Sequence, residues 1–193
     1  MPKSARVVLQ LDSFLPYRLS VLSNTVSTAI AGAYHERFGL SIPEWRMLCI
    51  LAMTPDLSAA EVAQRTAMDK VAVSRATTSL LKMKRIERRI AKSDRRRSVL
   101  RLSKAGEAVF EQVAPFALAY ERDLMQPLDE RERSALDRLL RILLGRAIEM
   151  GIPPVEMPAL VVVAVPAETP EPKATNTLEQ PPVGSPTATR IFC

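Results

Sequence analysis

Between residues 13 and 150 the apolar side chains recur mostly at steps of three and four, the spacing of helices that bury one face. Leu15, Leu19, Leu22, Val26, Ile30 and Ala33 form such a stripe over a long first helix running from about Ser13 to Phe38. Asp12 or Ser13 can cap it, Pro16 falls in its first turn, where a missing N–H costs nothing, and Gly39 ends it. A second helix opens with Ser41, Ile42, Pro43 and Glu44, a capping box. Its apolar face is Trp45, Leu48, Cys49 and Ala52, and Pro55 and Asp56 break it.

Another capping box, Ser58 to Glu61, starts a short helix that turns Val62 and Ala63 inward. Thr66, Ala67 and Met68 make a tight link, after which Asp69 caps a fourth helix. Val73, Thr77, Leu80 and Leu81 point one way from that helix, while Lys70, Val71, Ser74, Arg75, Thr78 and Lys82 point the other. Two short helices joined by a three-residue turn are a helix-turn-helix.

Beyond it the period changes from helix to strand. Ile86, Arg88 and Ile90, then Leu100 and Leu102, alternate with their neighbours on either side of a charged tip from Ala91 to Arg97, the pattern of a small hairpin. A fifth helix begins at Ser103 and Gly106 and carries Phe110, Val113, Ala117, Tyr120 and Leu124, with Pro115 inside it and Pro127 closing it. A sixth begins at Asp129, with Glu132 three residues on, and carries Leu136, Leu139, Leu140, Leu143 and Ala147. From Gly151 to Cys193 the helical period is lost and nine of the fifteen prolines occur, so residues 151–193 read as a Pro-rich disordered tail. Residues 1–12 read as an N-terminal arm.

Composition agrees with this mainly helical reading. In 193 residues, 47% are apolar and only 5% aromatic, a core palette of Leu, Ile, Val, Ala and Met. The net charge of +6 matters only once it is located. Between Lys82 and Lys104 stand eleven basic and two acidic residues, net +9, so the remainder of the chain is 3 negative. A positive charge concentrated on one short segment is the footprint of a polyanion partner.

The order of helices, the helix-turn-helix and the charged hairpin make a winged helix-turn-helix flanked by long helices, mainly α with one small β-hairpin wing. At this point the sequence resembles the MarR family of bacterial transcription regulators, from about Leu15 to Met150. The motifs that carry the resemblance are Ile42-Pro43-Glu44-Trp45-Arg46, Ser58-Ala59-Ala60-Glu61-Val62-Ala63, Met68-Asp69-Lys70-Val71-Ala72-Val73-Ser74-Arg75, and Asp94-Arg95-Arg96 followed by Leu102-Ser103-Lys104-Ala105-Gly106. One departure is visible: where the family often has Gly and an apolar residue between recognition helix and wing, this chain has Lys84 and Arg85. A left-handed corner without Gly costs about 1 kcal/mol more.

In a winged helix-turn-helix the second helix enters the major groove of double-stranded DNA. Lys70, Val71, Ser74, Arg75, Thr78 and Lys82 occupy the face that would enter: Arg75 suits a bidentate contact to guanine, Ser74 and Thr78 phosphate or base-edge bonds, and Val71 a thymine methyl. The resemblance implies that Arg96 inserts into the minor groove and that Asp94 pairs with a nearby Arg to fix the tip, which leaves Arg95 and Arg97 for phosphates. One such module contacts few bases, so specificity calls for a homodimer on a palindromic operator. The domain boundaries follow: 13–150 as the whole, with 41–104 the DNA-binding lobe and 13–38 and 105–150 dimerisation helices whose apolar stripes exceed what a small wing domain can cover. The resemblance also implies a small aromatic acid or phenol as effector, bound where the dimer helices meet the lobe, with Tyr17, Arg18, Trp45 and Arg46 as candidates.

Other classes find less support. One His and two distant Cys, without a His-Glu-x-x-His, a Cys-x-x-Cys or a glycine-rich phosphate loop, supply no catalytic set and no metal site, so neither an enzyme nor a cofactor is expected. Cys49 on an apolar helix face reads as an inert thiol rather than a redox sensor, His35 as an exposed or interfacial residue, and Cys193 as incidental. The longest apolar run, near Ala159 to Val165, falls far short of the ~20 residues that cross a bilayer, and a reducing cytoplasm fits the cysteine usage. The rival that the charge alone would equally suit is a non-specific nucleic-acid-binding protein of the nucleoid or of RNA.

Overall fold

The structure is a computed structural model that describes residues 9–91, 94 and 96–151. Its elements run α1 (Leu15–Phe38), α2 (Ile42–Met53), α3 (Ala59–Thr66), α4 (Lys70–Lys82), β1 (Ile86–Ile90), β2 (Ser98–Leu102), α5 (Lys104–Leu124) and α6 (Glu130–Glu149). The expected Pro-rich tail lies outside the described residues except for Gly151, as do Cys193 and most of the expected N-terminal arm.

Local capping chemistry sets most of the boundaries. Ser58 accepts from the Glu61 amide and Glu61 reaches back to the Ser58 amide at 2.8 Å, closing the box that starts α3. Asp69 accepts from the Val71 and Ala72 amides, both at 2.8 Å, to start α4. Ser103 and Asp129 do the same for α5 and α6. Each such cap stabilises its helix by about 1 kcal/mol. The first helix departs from expectation: its cap is Phe14, with no side-chain cap bond, because the Ser13 hydroxyl donates backward to the Gln10 carbonyl. The fifth ends at Leu124, before Pro127, through a turn at Met125.

The core lies between α2, α3, α4, the hairpin and the first half of α5. Leu40, Met47, Leu48, Leu51, Val62, Val73, Leu80, Val109 and Val113 are buried in it. α2 is the hub, since Met47, Ile50 and Leu51 are buried as well as Trp45 and Leu48, so it presents apolar surface on more than the single stripe read from sequence. The strands pair antiparallel in the register Ile86↔Leu102, Arg88↔Leu100 and Ile90↔Ser98. Leu57, in the link between α2 and α3, bridges to Leu100 on the other edge of β2, and the Leu100 amide donates to its carbonyl at 2.7 Å. The hairpin is thus anchored along β2, while β1 ends at Ile90, 67% exposed.

The corner where α4 passes into the wing carries the strain anticipated from the missing glycine. Lys84 sits at φ +54°, in the left-handed region. Its carbonyl accepts from the Ser103 hydroxyl at 2.7 Å, and the Arg85 carbonyl accepts from the Ser103 amide at 3.0 Å. Ser103 therefore caps α5 and fastens the exit of α4 at once.

The long helices are the least covered part of the described chain. Leu15, Leu19 and Leu22 of α1, Leu118 and Leu124 of α5, and Leu136, Leu139, Leu140 and Leu143 of α6 are exposed, and α6 buries no residue. On α1 the inward residue near the end is Tyr34, whereas Ala33 of the expected stripe faces out.

Candidate nucleic-acid interface

The outward face of α4 holds every residue expected there. Lys70, Val71, Ser74, Arg75, Thr78 and Lys82 are all exposed, and Val73, Ala76, Thr77 and Leu80 are buried on the opposite side. Val71 is 59% exposed, an apolar side chain on an otherwise polar face. The Thr78 hydroxyl donates to the Ser74 carbonyl at 3.0 Å, so toward a ligand it offers an acceptor rather than a proton.

The wing and α4 share one surface. A groove of about 390 Å³ is lined by Ala59 and Ala60 of α3, Lys70, Val73, Ser74, Thr77 and Thr78 of α4, and Arg88 of β1. Arg88 was legible only as a strand residue. The register that buries Ile86 and Leu100 on the same side of the hairpin puts Arg88 there too, and its charge reaches the mouth of the groove beside Lys70.

The structure divides the basic segment into two populations. Arg75 and Arg96 are exposed and make no ion pair among the described residues. Asp94 accepts from the backbone amide of Arg96 at 2.9 Å and its carbonyl from the Arg97 amide at 3.0 Å, a tight turn that fixes the wing tip through the main chain rather than through an arginine side chain. Arg95, expected on phosphates, lies outside the described residues, as does Lys92. Arg97, expected beside it, is instead paired with Glu61 in the first turn of α3. Arg101 is paired with Asp56, its Nε 2.8 Å from Oδ1, and Arg89 with Glu87 on its own strand. The Ser58 cap first, and then Arg97, hold the Glu61 carboxyl far below the usual range, at about 2, so it is ionised wherever the protein is folded near neutral pH.

The four candidates for an effector site are not gathered in one place. Trp45 is buried in a stack between Tyr34 and Phe110, ring centroids 5.5 and 5.7 Å away, at the junction of α1, α2 and α5. Arg46 donates to the Ser27 hydroxyl at 3.2 Å. Tyr17 and Arg18 are exposed near the start of α1, about 25 Å along the helix from Tyr34 at 1.5 Å per residue. Burial pushes the Tyr34 hydroxyl and the Cys49 thiol each up to about 12, so both stay protonated at neutral pH. Cys49 is only half-buried as a residue, but its sulfur lies inside, as an inert thiol requires. His35 bonds through Nδ1 to the Leu40 carbonyl at 3.1 Å and helps to close the end of α1.

Among the described residues there is no group of three or more His, Cys, Asp or Glu side chains arranged for a metal, and no helix is long and apolar enough to cross a membrane.

The arrangement has known counterparts. The family model described as MarR family matches residues 38–97, from the end of α1 through the wing tip. The fold also matches a MarR/EmrR family transcriptional regulator from Acinetobacter sp. ADP1, with 27% identity over 74% of this chain and 100% of that one at a TM-score of 0.68. Over residues 38–97 the chain is similar to the MarR family. The fold is that of MarR-type transcriptional regulators, with the winged helix in the segment that the family model matches. Two more distant matches show the same fold: BpsR of Bordetella bronchiseptica, whose DNA binding is regulated by 6-hydroxynicotinic acid (22% identity, 71% of this chain, 97% of that one, TM-score 0.62), and PcaV of Streptomyces coelicolor, solved with its natural ligand (19% identity, 74% and 99%, TM-score 0.58). No curated protein matches the chain in sequence.

Proposed function

We propose that this chain acts in the cytoplasm as a MarR-type homodimeric repressor that recognises a palindromic operator and lets go when a small aromatic acid or phenol binds. The observation that carries the reading is the groove that Lys70, Ser74 and Thr78 of α4 share with Arg88 of the wing, together with Arg75 and Arg96, which are exposed and make no ion pair among the described residues. Arg75 reads guanine in the major groove, Val71 a thymine methyl, and Ser74, Thr78, Lys70 and Lys82 hold edges and phosphates beside them. Arg96, on a tip fixed by Asp94, enters the adjacent minor groove, where a narrow groove concentrates negative potential. Residues 41–104 form the DNA-binding lobe.

Dimerisation is supported by the leucines of α1, α5 and α6 left open in the protomer, which make residues 13–38 and 105–150 the natural two-fold interface. The effector reading is supported by the ligand-responsive BpsR and by ligand-bound PcaV. Tyr17 and Arg18 stand too far along α1 from Trp45 for one protomer to close a pocket with all four residues, so such a site draws on both protomers.

Selecting bound duplexes from a random pool tests the reading. The expected result is an enriched inverted repeat with half-sites about 10 base pairs, ~34 Å, apart, and reduced retention when 4-hydroxybenzoate or 6-hydroxynicotinate is added. Binding that enriches no sequence would instead favour a general nucleic-acid-binding protein.

A further inference from the structure

The outer edge of β2 is tied to the segment between α2 and the first turn of α3 at three places. Arg97 pairs with Glu61, Leu100 bridges to Leu57, and Arg101 grips Asp56 through Nε and Nη2. The three partners lie within six positions of one another in sequence, and the two acidic ones flank the bridge. Among the described residues no strand or bridge pairs with the opposite edge of β1, and Ile90 is exposed. A two-stranded ribbon is marginal by itself, so its direction is set by what it is tied to.

We propose that Glu61 and Arg97 are a positioning pair for DNA binding: they fix the angle of the wing against α3 and thereby place Arg96, and Arg97 does not itself contact phosphate. This rests on the DNA-binding reading of the wing. The turn that holds Arg96 leads straight into Arg97, so a contact at Arg97 is the last fixed point before the tip. Glu61 sits in the box that starts α3, and α3 passes through the left-handed Ala67 into the Asp69 cap of α4. One carboxylate thus links the wing to the helix pair that carries Arg75. The charge on Arg97 is neutralised at short range, and an arginine already paired in this way releases no counterion from DNA.

Simple electrostatics and a positioning role predict opposite signs for one substitution. Glu61→Gln keeps a residue that completes a capping box and removes a negative charge beside the DNA face. If the carboxylate merely sat there, affinity would rise. The pair predicts that affinity for the selected operator falls about three- to tenfold, with the salt dependence unchanged, as expected for two groups coupled in contact. Arg97→Gln should give a similar loss, again without the drop of about one in salt slope that marks a lost phosphate contact. The double variant should be no weaker than either single one.

A reading without DNA separates failure of this inference from failure of the DNA-binding reading. Hydrogen exchange at the Ala91 amide, which donates to the Arg97 carbonyl at 2.8 Å, and at the Leu100 amide should quicken at least about threefold in both single variants. Tighter or unchanged operator binding by Glu61→Gln, or a reduced salt slope for Arg97→Gln, would overturn the inference. A wild-type protein that binds no duplex, but whose exchange responds as stated, would leave the wing pair standing and remove the DNA-binding reading beneath it.

Discussion

Introducing glutamate at Leu140 and Leu143 together should convert the protein to a folded monomer that no longer holds its operator. Both side chains are exposed on α6, which buries nothing in the protomer, so the substitutions remove no core contact and leave α2 to α5 intact. In a two-fold interface each charge would be buried twice, opposite its own copy or another leucine, with no cation to meet it. Sedimentation should show a single species of the protomer mass, with helix content retained. Operator affinity should fall toward the non-specific level, about a thousandfold or more, because one lobe reads only half a site. A variant that still sediments as a dimer would show that α6 is not the interface.

Gly106→Ala should damage the fold more than any other one-carbon change. An added Cβ would lie 1.9 Å from the Arg85 carbonyl oxygen and 3.0 Å from its carbon. That backbone cannot give way freely: the Arg85 amide donates to Leu80, its carbonyl accepts from Ser103, and the Ser103 hydroxyl holds Lys84. Either the first turn of α5 moves out or the strained corner at Lys84 opens. Overpacking of this kind costs about 1 to 3 kcal/mol or somewhat more, so the thermal midpoint should drop by roughly 5 to 10 °C. Gly32→Ala, with nothing within 4 Å among the described residues, supplies the contrast and should melt no lower than the parent. Equal midpoints for the two variants would mean that the close approach at Arg85 is not a constraint.

These two residues mark the limits of what sequence makes visible. The caps at Ser41, Ser58, Asp69, Ser103 and Asp129 depend on partners two or three positions away, and all five helix starts were legible from them. So was the outward face of α4, because one helical period sorts it. Gly106 was read only as part of a helix start, since the carbonyl that requires it belongs to Arg85, twenty-one positions earlier. The wing was legible as a ribbon but not as an anchored one: Glu61 and Arg97 stand 36 positions apart, Asp56 and Arg101 45. Val99 is buried on the face opposite Leu100, which alternation read from one face could not show. The count of positive charge was right as a total and silent on its division. Arg89, Arg97 and Arg101 meet carboxylates of the chain itself at the surface, while Arg75, Arg88 and Arg96 are exposed without an ion pair among the described residues. Trp45 was assigned to an effector site from its motif, and its place in the stack with Tyr34 and Phe110 depends on α1 and α5 converging on α2.

The central claim is that α4 reads bases while the wing grips the neighbouring minor groove of the same duplex. Parallel titrations of Arg75→Ala and Arg96→Ala against the selected operator and a random duplex, each over a range of salt, test it most directly. The account predicts that Arg75→Ala loses about 1 to 3 kcal/mol of discrimination at one base pair and changes random-duplex binding little, whereas Arg96→Ala weakens both and lowers the salt slope by about one. Equal losses on both duplexes from Arg75→Ala, or an Arg96→Ala variant with undiminished affinity and slope, would contradict it.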